Sequence, residues 1–446
     1  MYIKLTSFLV VGLKRSGVSI AKLLLSKGAD VCVYDPSSDK NVEENKRELV
    51  LLNAKVVKEP LEVLKNIDVL VLSPGVPIDS EIPITARRLK KRIIGELELA
   101  SYFISSPIVA VTGTNGKTTV CSILSHVLDK IKSENLLVGN VGTPLSSKLN
   151  EMNENTILIT EVSSFQLETT SRFCPHIACI LNITPDHLDR HYNMQNYIFL
   201  KGKLLSNLKE SEYAVLNYDD ENVRVLSKNT RANVVWFSKE YKVDGAYLEN
   251  GDIYFNEELI LSADEINLPG KHNLENVLAC VAILKLLGVN NSEIKDNILS
   301  FNGVKHRIEE VKNINGITFY NDSKSTNPDA TIKAINSMQN PTVLIMGGFD
   351  KGLDYNLVMK TVADSKQVKE LILTGDSAKK MYETAVLNKV KRVSVVPDFT
   401  SSIKLAYLEC ESGDSVLFSP STSSFDIFTS YEERGDKFIE IVNGLK

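Results

Sequence analysis

The residues best suited to chemistry form one run, Gly113-Thr114-Asn115-Gly116-Lys117-Thr118-Thr119, set between an apolar stretch (Ile108–Val111) and a helical pattern. That pattern places Val120, Ile123, Leu124, Val127, Leu128 and Ile131 on one face at 3.6-residue spacing. A strand that enters a glycine-containing loop and leaves as a helix aims backbone N–H groups and a helix N-terminus at one point, which suits a phosphate. Lys117 is positioned to reach β- and γ-phosphates, and Thr118 to offer a hydroxyl to Mg²⁺. Gly113, Thr114, Asn115, Gly116 and Thr119 complete the candidate nucleotide-binding loop. Val111 stands where the full phosphate-loop pattern has its first glycine, and an ordinary strand–turn–helix is the plain alternative.

Two further groups follow apolar strands. Glu161 opens Glu161-Val-Ser-Ser-Phe-Gln166, and His187 lies in Asn182-Ile-Thr-Pro-Asp-His187-Leu-Asp-Arg190. Ends of strands are where open α/β sheets hold ligands, so Glu161, His187 and the Thr118 hydroxyl are candidates to share one or two Mg²⁺ ions. Taken singly, Glu161 reads as a solvated charge and His187 as a surface residue. Lys201 sits at helical spacing from Tyr197, Leu204, Leu205 and Leu208, which predicts a place on a buried face. Burial disfavours the ammonium, so its pKa should fall; a snorkelling lysine is the alternative. Lys203, about 200° further around a helix, is expected to face solvent.

At the amino end, Gly12-Leu13-Lys14-Arg15-Ser16-Gly17 follows the strand Ser7–Val11 like a dinucleotide fingerprint, and Asp35 ends the next strand. Lys14 replaces the glycine that lets backbone approach a pyrophosphate, which argues against an intact nicotinamide site. Near the carboxyl end three polar loops follow strands: Tyr320 to Pro328, Gly347 to Lys351 and Ser419 to Asp426. Three such loops at one sheet edge predict a cleft rim for a small anionic substrate.

These sites require strands alternating with helices, hence doubly wound parallel sheets. The predicted fold is α/β in three domains: Rossmann-like over residues 1–97, a phosphate-loop ATPase type with a parallel sheet over 98–304, and a second Rossmann-like unit over 305–446. A chain of 446 residues is long enough for three cores. Its net charge of −5 leaves no broad basic footprint for nucleic acid. No stretch is apolar for the length of a membrane span. Six scattered cysteines without a Cys-x-x-Cys pair read as buried free thiols. A cytoplasmic monomer is expected.

Gly113–Thr119, Glu161-Val-Ser-Ser-Phe-Gln-Leu-Glu168, Asn182–Arg190, Gly270-Lys-His-Asn273-Leu-Glu-Asn276 and Asp322-Ser-Lys-Ser-Thr326-Asn327 together resemble the Mur ligase family, in its order and over nearly the whole chain. Folylpolyglutamate synthases share only the central loop closely. The runs Glu161–Glu168 and Ser419–Phe428 resemble the D-glutamate-adding branch. Ser421-Thr422-Ser423 departs from the Ala-Cys-Ala usual there.

The resemblance implies an ATP- and Mg²⁺-dependent ligase joining D-glutamate to UDP-N-acetylmuramoyl-L-alanine through an acyl phosphate. By the same resemblance Asn273, Asn276, Arg307 and Asp322 match ATP-site positions. Asp35, Ser73, Gly75, Asn140 and Gln166 match the UDP-sugar site. Lys324, Thr326, Lys351, Ser424 and Phe428 match the D-glutamate site. Lys201 matches a lysine carbamylated in the family, which would join Glu161 and His187 as a metal ligand. A nicotinamide-dependent oxidoreductase and a non-catalytic sensor of UDP-muramoyl precursors are the competing classes. Lys14 speaks against the first, and the full set Lys117, Thr118, Glu161, His187 and Lys201 against the second.

Overall fold

The computed structural model describes residues 3–140, 143–266, 268, 272–301 and 303–445. Gly270 and Lys271 of the Gly270–Asn276 run lie outside the described residues. The chain forms two compact units, Met1–Ile266 with Glu275–Ser300, and Asn267–Leu274 with Phe301–Lys446. The first unit carries two sheets and the second carries one.

The amino-terminal sheet is parallel throughout, in the order β3-β2-β1-β4-β5. Its strands are β1 (Ser7–Val11), β2 (Asp30–Tyr34), β3 (Lys55–Val56), β4 (Val69–Leu72) and β5 (Arg92–Gly95). Strands β1 and β4 are buried along almost their whole length, as expected when helices cover both faces. The sheet order reverses beside β1, so the loops after β1 and β4 and Asp35 after β2 open on one edge. Gly17 allows the first helix (Arg15–Ser26) to lie on this turn, because a Cβ there would stand 1.8 Å from the Gly12 carbonyl oxygen.

The second sheet runs β14-β13-β12-β11-β10-β9-β6-β8-β7. It contains β6 (Ile108–Thr112), β7 (Asn135–Gly139), β8 (Ile157–Glu161), β9 (Ile177–Ile180), β10 (Tyr213–Asn217), β11 (Asn233–Ser238), β12 (Gly245–Glu249), β13 (Asp252–Phe255) and β14 (Glu258–Ser262). From β7 to β12 it is parallel; β13 and β14 pair antiparallel at the far edge. Strand β6 lies between β8 and β9, so the chain changes direction around it and leaves a crevice at their carboxyl ends.

The third sheet, in the second unit, runs β15-β16-β20-β17-β18-β19. Its strands are β15 (Glu309–Ile314), β16 (Ile317–Asn321), β17 (Thr342–Gly347), β18 (Val368–Thr374), β19 (Val393–Val395) and β20 (Ser415–Phe418). Only β15 is antiparallel. Strands β16, β20 and β17 are neighbours, which brings the three predicted polar loops to one edge. Among the described residues no helix is long and apolar enough to cross a membrane. Cys121, Cys179 and Cys280 are buried as expected, whereas Cys32, Cys174 and Cys410 are only half-buried.

The helix Glu96–Ser101, within which the expected boundary after residue 97 falls, belongs to two cores. Leu99 packs in the amino-terminal core, and Leu97 and Ala100 in that of the second sheet. Its Glu98 carboxylate is fully buried and accepts the N–H groups of Ser171 (3.0 Å), Arg172 (3.0 Å) and Phe173 (2.9 Å). The hydroxyls of Tyr102 and Ser171 also donate to it. Burial alone would raise the Glu98 carboxyl, but these donors more than offset it, so its pKa lies below the ordinary glutamate value.

A carboxylate held down in this way stabilises the fold above the unfolded pKa of about 4.3 and loses that contribution as pH falls through the lower folded value. Glu98→Ala strands three buried N–H groups and is expected to cost about 3 kcal/mol or more. Glu98→Gln should flatten the loss of stability at acid pH. Denaturant midpoints for both variants at neutral and acid pH check this.

Candidate active site

The phosphate loop closes on its own helix. Gly116 caps the helix Lys117–Lys130 with φ +87°, and a Cβ there would stand 2.3 Å from the Asn276 Oδ1, so the amide of Asn276 lies against the loop. Lys117 Nζ curls back to the carbonyl oxygens of Gly113 and Thr114, each at 2.8 Å. The loop is tied to the segment after β9: Thr114 N–H donates to the Asn182 carbonyl (2.8 Å), and Asn115 N–H to Asn182 Oδ1 (2.9 Å). The Thr114 hydroxyl bridges Thr184 and Tyr197. Thr119 is buried on the inner face of the helix.

Thr118 Oγ1 donates to Glu161 Oε2 at 2.7 Å, and Asn140 Nδ2 to Glu161 Oε1 at 2.9 Å. Glu161 is 1% exposed. It reaches the loop because β8 pairs with β6 in a register that sets Glu161 opposite Val111. The isolated-carboxylate alternative is thereby set aside: Glu161 and the threonine hydroxyl form a pair of hard oxygen donors at the helix N-terminus, a set that suits Mg²⁺.

Lys201 is buried to 1% exposure on the helix Met194–Gly202, and its Nζ donates to the same Gly113 carbonyl at 2.8 Å. A snorkelling lysine is excluded by this geometry. Burial, and then the neighbouring Lys117 charge, drive its pKa well below the ordinary lysine value, while Asp186 and Glu161 oppose the shift. The Lys201 Nζ also lies 4.7 Å from the Tyr197 ring centroid.

Lys203 departs from expectation. It does not face solvent: its Nζ docks on the Leu167 (2.5 Å) and Glu168 (3.1 Å) carbonyl oxygens at the end of the helix Ser164–Glu168. The reason is that the helix ends at Gly202 and tightens into a 3-10 turn over Lys203–Leu205, so α-helical angles no longer apply.

His187 is the exposed member of the set. It has φ +53°, places Nε2 3.5 Å from Asp186 and packs on Phe165 at 4.7 Å between ring centroids. Asp186, which faces both His187 and Lys201, was not singled out from the sequence; a carboxylate beside a candidate metal-site histidine was the available signal. His191 was missed as well. It is 2% exposed, contacts Ser164 Oγ at 3.0 Å and is pushed down to about 4 by burial and by the His187, Arg190 and Lys201 charges, so the ring is neutral at pH 7.

The candidate sugar-nucleotide residues divide. Asp35 accepts Leu13 N–H at 2.7 Å, and Ser73 donates to the Gly12 carbonyl at 2.7 Å, so both shape the amino-terminal loop pair. Gly75 is exposed, with no atom within 4 Å of where a Cβ would stand. Asn140 belongs to the Glu161 cluster. Gln166 is 4% exposed, and its Oε1 closes a capping box with Ser163, which leaves only its amide NH₂ uncommitted by that box.

In the second unit Asp322 is wholly buried and accepts Ser325 and Ser419 hydroxyls; burial raises its carboxyl and the Arg307 charge opposes this. Asn273 is buried as well. Lys324 Nζ lies 2.8 Å from the Tyr431 hydroxyl, and Lys351 Nζ 3.3 Å from the Thr326 carbonyl. Ser424 is 1% exposed and anchors the following turn through Phe428 N–H (2.9 Å). Phe428 itself is half-buried and packs against Phe399 of the core, at 5.4 Å between centroids. Arg434, absent from the sequence reading, is 2% exposed and ties two rim loops by donating to Ser323 O, Thr422 O and Ser423 O.

Known proteins resemble this chain in sequence and in fold. The chain matches the models of the Mur ligase MurD-like N-terminal domain over residues 6–95, the Mur ligase middle domain over 111–284 and the Mur ligase glutamate ligase domain over 306–422. A UDP-N-acetylmuramoylalanine--D-glutamate ligase of Thermoanaerobacter sp. (strain X514) is 43% identical over 100% of both chains. Its counterpart in Clostridioides difficile (strain 630) is 39% identical, again over 100% of both. In fold, the chain resembles the UDP-N-acetylmuramate-alanine ligase of Thermotoga maritima, with TM-score 0.62, 19% identity and coverage of 99% of this chain and 100% of that one. It likewise resembles the Thermotoga maritima MurF ligase in complex with ADP, with TM-score 0.61, 16% identity and coverage of 100% and 98%. With three domain models in order and relatives matched from end to end, the chain belongs to the Mur ligase family.

Proposed function

We propose that this chain joins D-glutamate to UDP-N-acetylmuramoyl-L-alanine with conversion of ATP to ADP and phosphate, as part of cell-wall peptidoglycan precursor synthesis. The observation that carries the reading is the Thr118–Glu161 pair at 2.7 Å beside the Lys117 phosphate loop. Full-length relatives bearing the D-glutamate ligase name support the choice of substrates.

In this reading the terminal carboxylate of the sugar-nucleotide alanine attacks the γ-phosphorus of ATP and ADP leaves. The resulting acyl phosphate is attacked by the D-glutamate amine, and the tetrahedral intermediate expels phosphate. Lys117 neutralises charge that develops on the transferring phosphoryl group, and loop N–H groups orient it. Thr118 and Glu161 would hold Mg²⁺, which supplies further charge neutralisation when bound. His187, beside Asp186, takes a place at the acyl centre. Asn273, Asn276, Arg307 and Asp322 are assigned to ATP. Asp35, Ser73, Gly75, Asn140 and Gln166 are assigned to the sugar nucleotide. Lys324, Thr326, Lys351 and Ser424 are assigned to D-glutamate, whose two carboxylates suit the lysine and hydroxyl donors. Phe428 is assigned to the same site, its half-buried ring braced on Phe399.

Lys201 is assigned a carbamate. The neutral amine adds to CO₂, forming an N–C bond and releasing one proton to solvent, and the product is an anion suited to the metal site. Its burial and depressed pKa support this, since the amine must first be unprotonated.

Phosphate release with UDP-N-acetylmuramoyl-L-alanine and a panel of amino acids is expected to require D-glutamate; efficient turnover with L-lysine or diaminopimelate overturns the assignment. Lys117→Ala should lower kcat by about 10² or more, and near-native ligation would remove the loop from the ATP site. With ¹³C-bicarbonate, the native chain should show a carbamate carbon resonance that Lys201→Ala lacks. Formate or acetate should restore part of that variant's activity. A fully active Lys201→Ala without additive would disprove the role.

A further inference from the structure

The one-turn helix Leu188–His191 is bounded by positive φ at both ends, +53° at His187 and +69° at Tyr192. Residues with side chains adopt such angles at a cost, so the turn persists only if its surroundings hold it. Arg190 is the main hold. Its Nε lies 3.0 Å from Glu168 Oε1 and its Nη2 2.6 Å from Oε2, a two-pronged pair with side chains only 14% and 5% exposed. The guanidinium lies over the Phe165 ring at 5.0 Å, and that ring also packs on His187 at 4.7 Å.

The same Nη2 reaches into the amino-terminal domain, to the carbonyl oxygens of Pro74 (3.3 Å) and Val76 (3.0 Å). Those carbonyls flank Gly75, whose open side faces no other atom within 4 Å. Two residues on, the Tyr192 hydroxyl is bonded to Asp79 of the same loop. The turn that carries His187 is therefore tied to the loop after β4 by the Arg190 guanidinium at Pro74 and Val76 and by the Tyr192 hydroxyl at Asp79.

We propose that Arg190 is a positioning residue that ties the Ser73–Val76 loop to the turn carrying His187, so that seating of the acceptor on the loop sets the imidazole. Glu168 orients the guanidinium, and Phe165 keeps it flat between the two loops. A lysine cannot substitute fully, because one ammonium cannot make the two-pronged contact and reach both carbonyls. The inference rests on the reading of Ser73 and Gly75 as part of the acceptor site.

The test uses the full chain, with UDP-N-acetylmuramoyl-L-alanine as the varied substrate and ADP affinity measured separately by calorimetry. Arg190→Met is expected to raise the acceptor KM about tenfold or more and lower kcat about tenfold, with ADP affinity held within about twofold. Glu168→Gln should move the same constants by less, and Arg190→Lys should recover part of the loss. The Arg190→Met/Glu168→Gln double variant should lose less than the two single losses combined, since the two side chains share the two-pronged contact, although Glu168 Oε1 also stands 3.5 Å from His191 Nδ1. If Arg190→Met does not fold, Arg190→Lys and Glu168→Gln are judged by the same criteria. An acceptor KM and kcat within about twofold of the native values, or a parallel fall in ADP affinity, would overturn the positioning role. A native chain inactive with this acceptor overturns the functional reading itself and this inference with it.

Discussion

One carbonyl oxygen organises the centre of this protein: that of Gly113, which accepts hydrogen bonds from both Lys117 and Lys201. Two lysine nitrogens share this single acceptor, and one of them is sealed from water. The cost of a buried charge is lowest if Lys201 is neutral, so the contact that shapes the loop also selects the protonation state of its neighbour. The helix bearing Lys201, the loop bearing Lys117 and the strand that ends at Glu161 meet at this point. Moving any of them displaces the others.

The phosphate loop, the alternation of strands and helices, and the burial of Lys201 were legible because each is a local signal. A loop between an apolar strand and a 3.6-residue pattern needs no knowledge of distant chain, and neither does a lysine on an apolar helical face. The three rim loops of the second unit were legible for a related reason: parallel strands all end on one edge, whatever their order. What escaped depends on partners far along the chain. An α-helix continued past Gly202 puts Lys203 in solvent, whereas the chain tightens there into a 3-10 turn that only distant packing dictates. Arg190 and Glu168 stand in quoted motifs, yet they meet across separate loops, and Arg190 reaches on into the amino-terminal domain. Phe428, matched to a ligand-site position by motif, also packs its half-buried ring on Phe399, a contact that the motif alone does not show.

The two units differ in how polar groups are handled. In the first, charged side chains that enter the interior do so beside the proposed chemistry or at the seam between sheets, as with Glu161, Lys201 and Glu98. In the second, Asp322 and Arg434 are buried beneath the rim loops, and Arg434 is lowered to about 10 by burial while Asp426 and Asp322 oppose the shift. There a fixed cation spans loops whose own residues are small and hydroxylated, Ser421-Thr422-Ser423 among them. In the proposed reading, a rim of such short side chains leaves the longer Lys324 and Lys351 to reach a ligand.

The helix Glu96–Ser101 has a consequence for how the molecule comes apart. Its Leu99 belongs to one core, its Leu97 and Ala100 to another, and its Glu98 fills a cradle of N–H groups at 171–173. A segment shared in this way cannot melt with one sheet and stay folded with the other. The two sheets of the first unit should then unravel as a single cooperative block despite matching separate domain models. A chain cut just after Glu96 would leave both fragments with an incomplete interior, so sequence modules and folding modules do not coincide here.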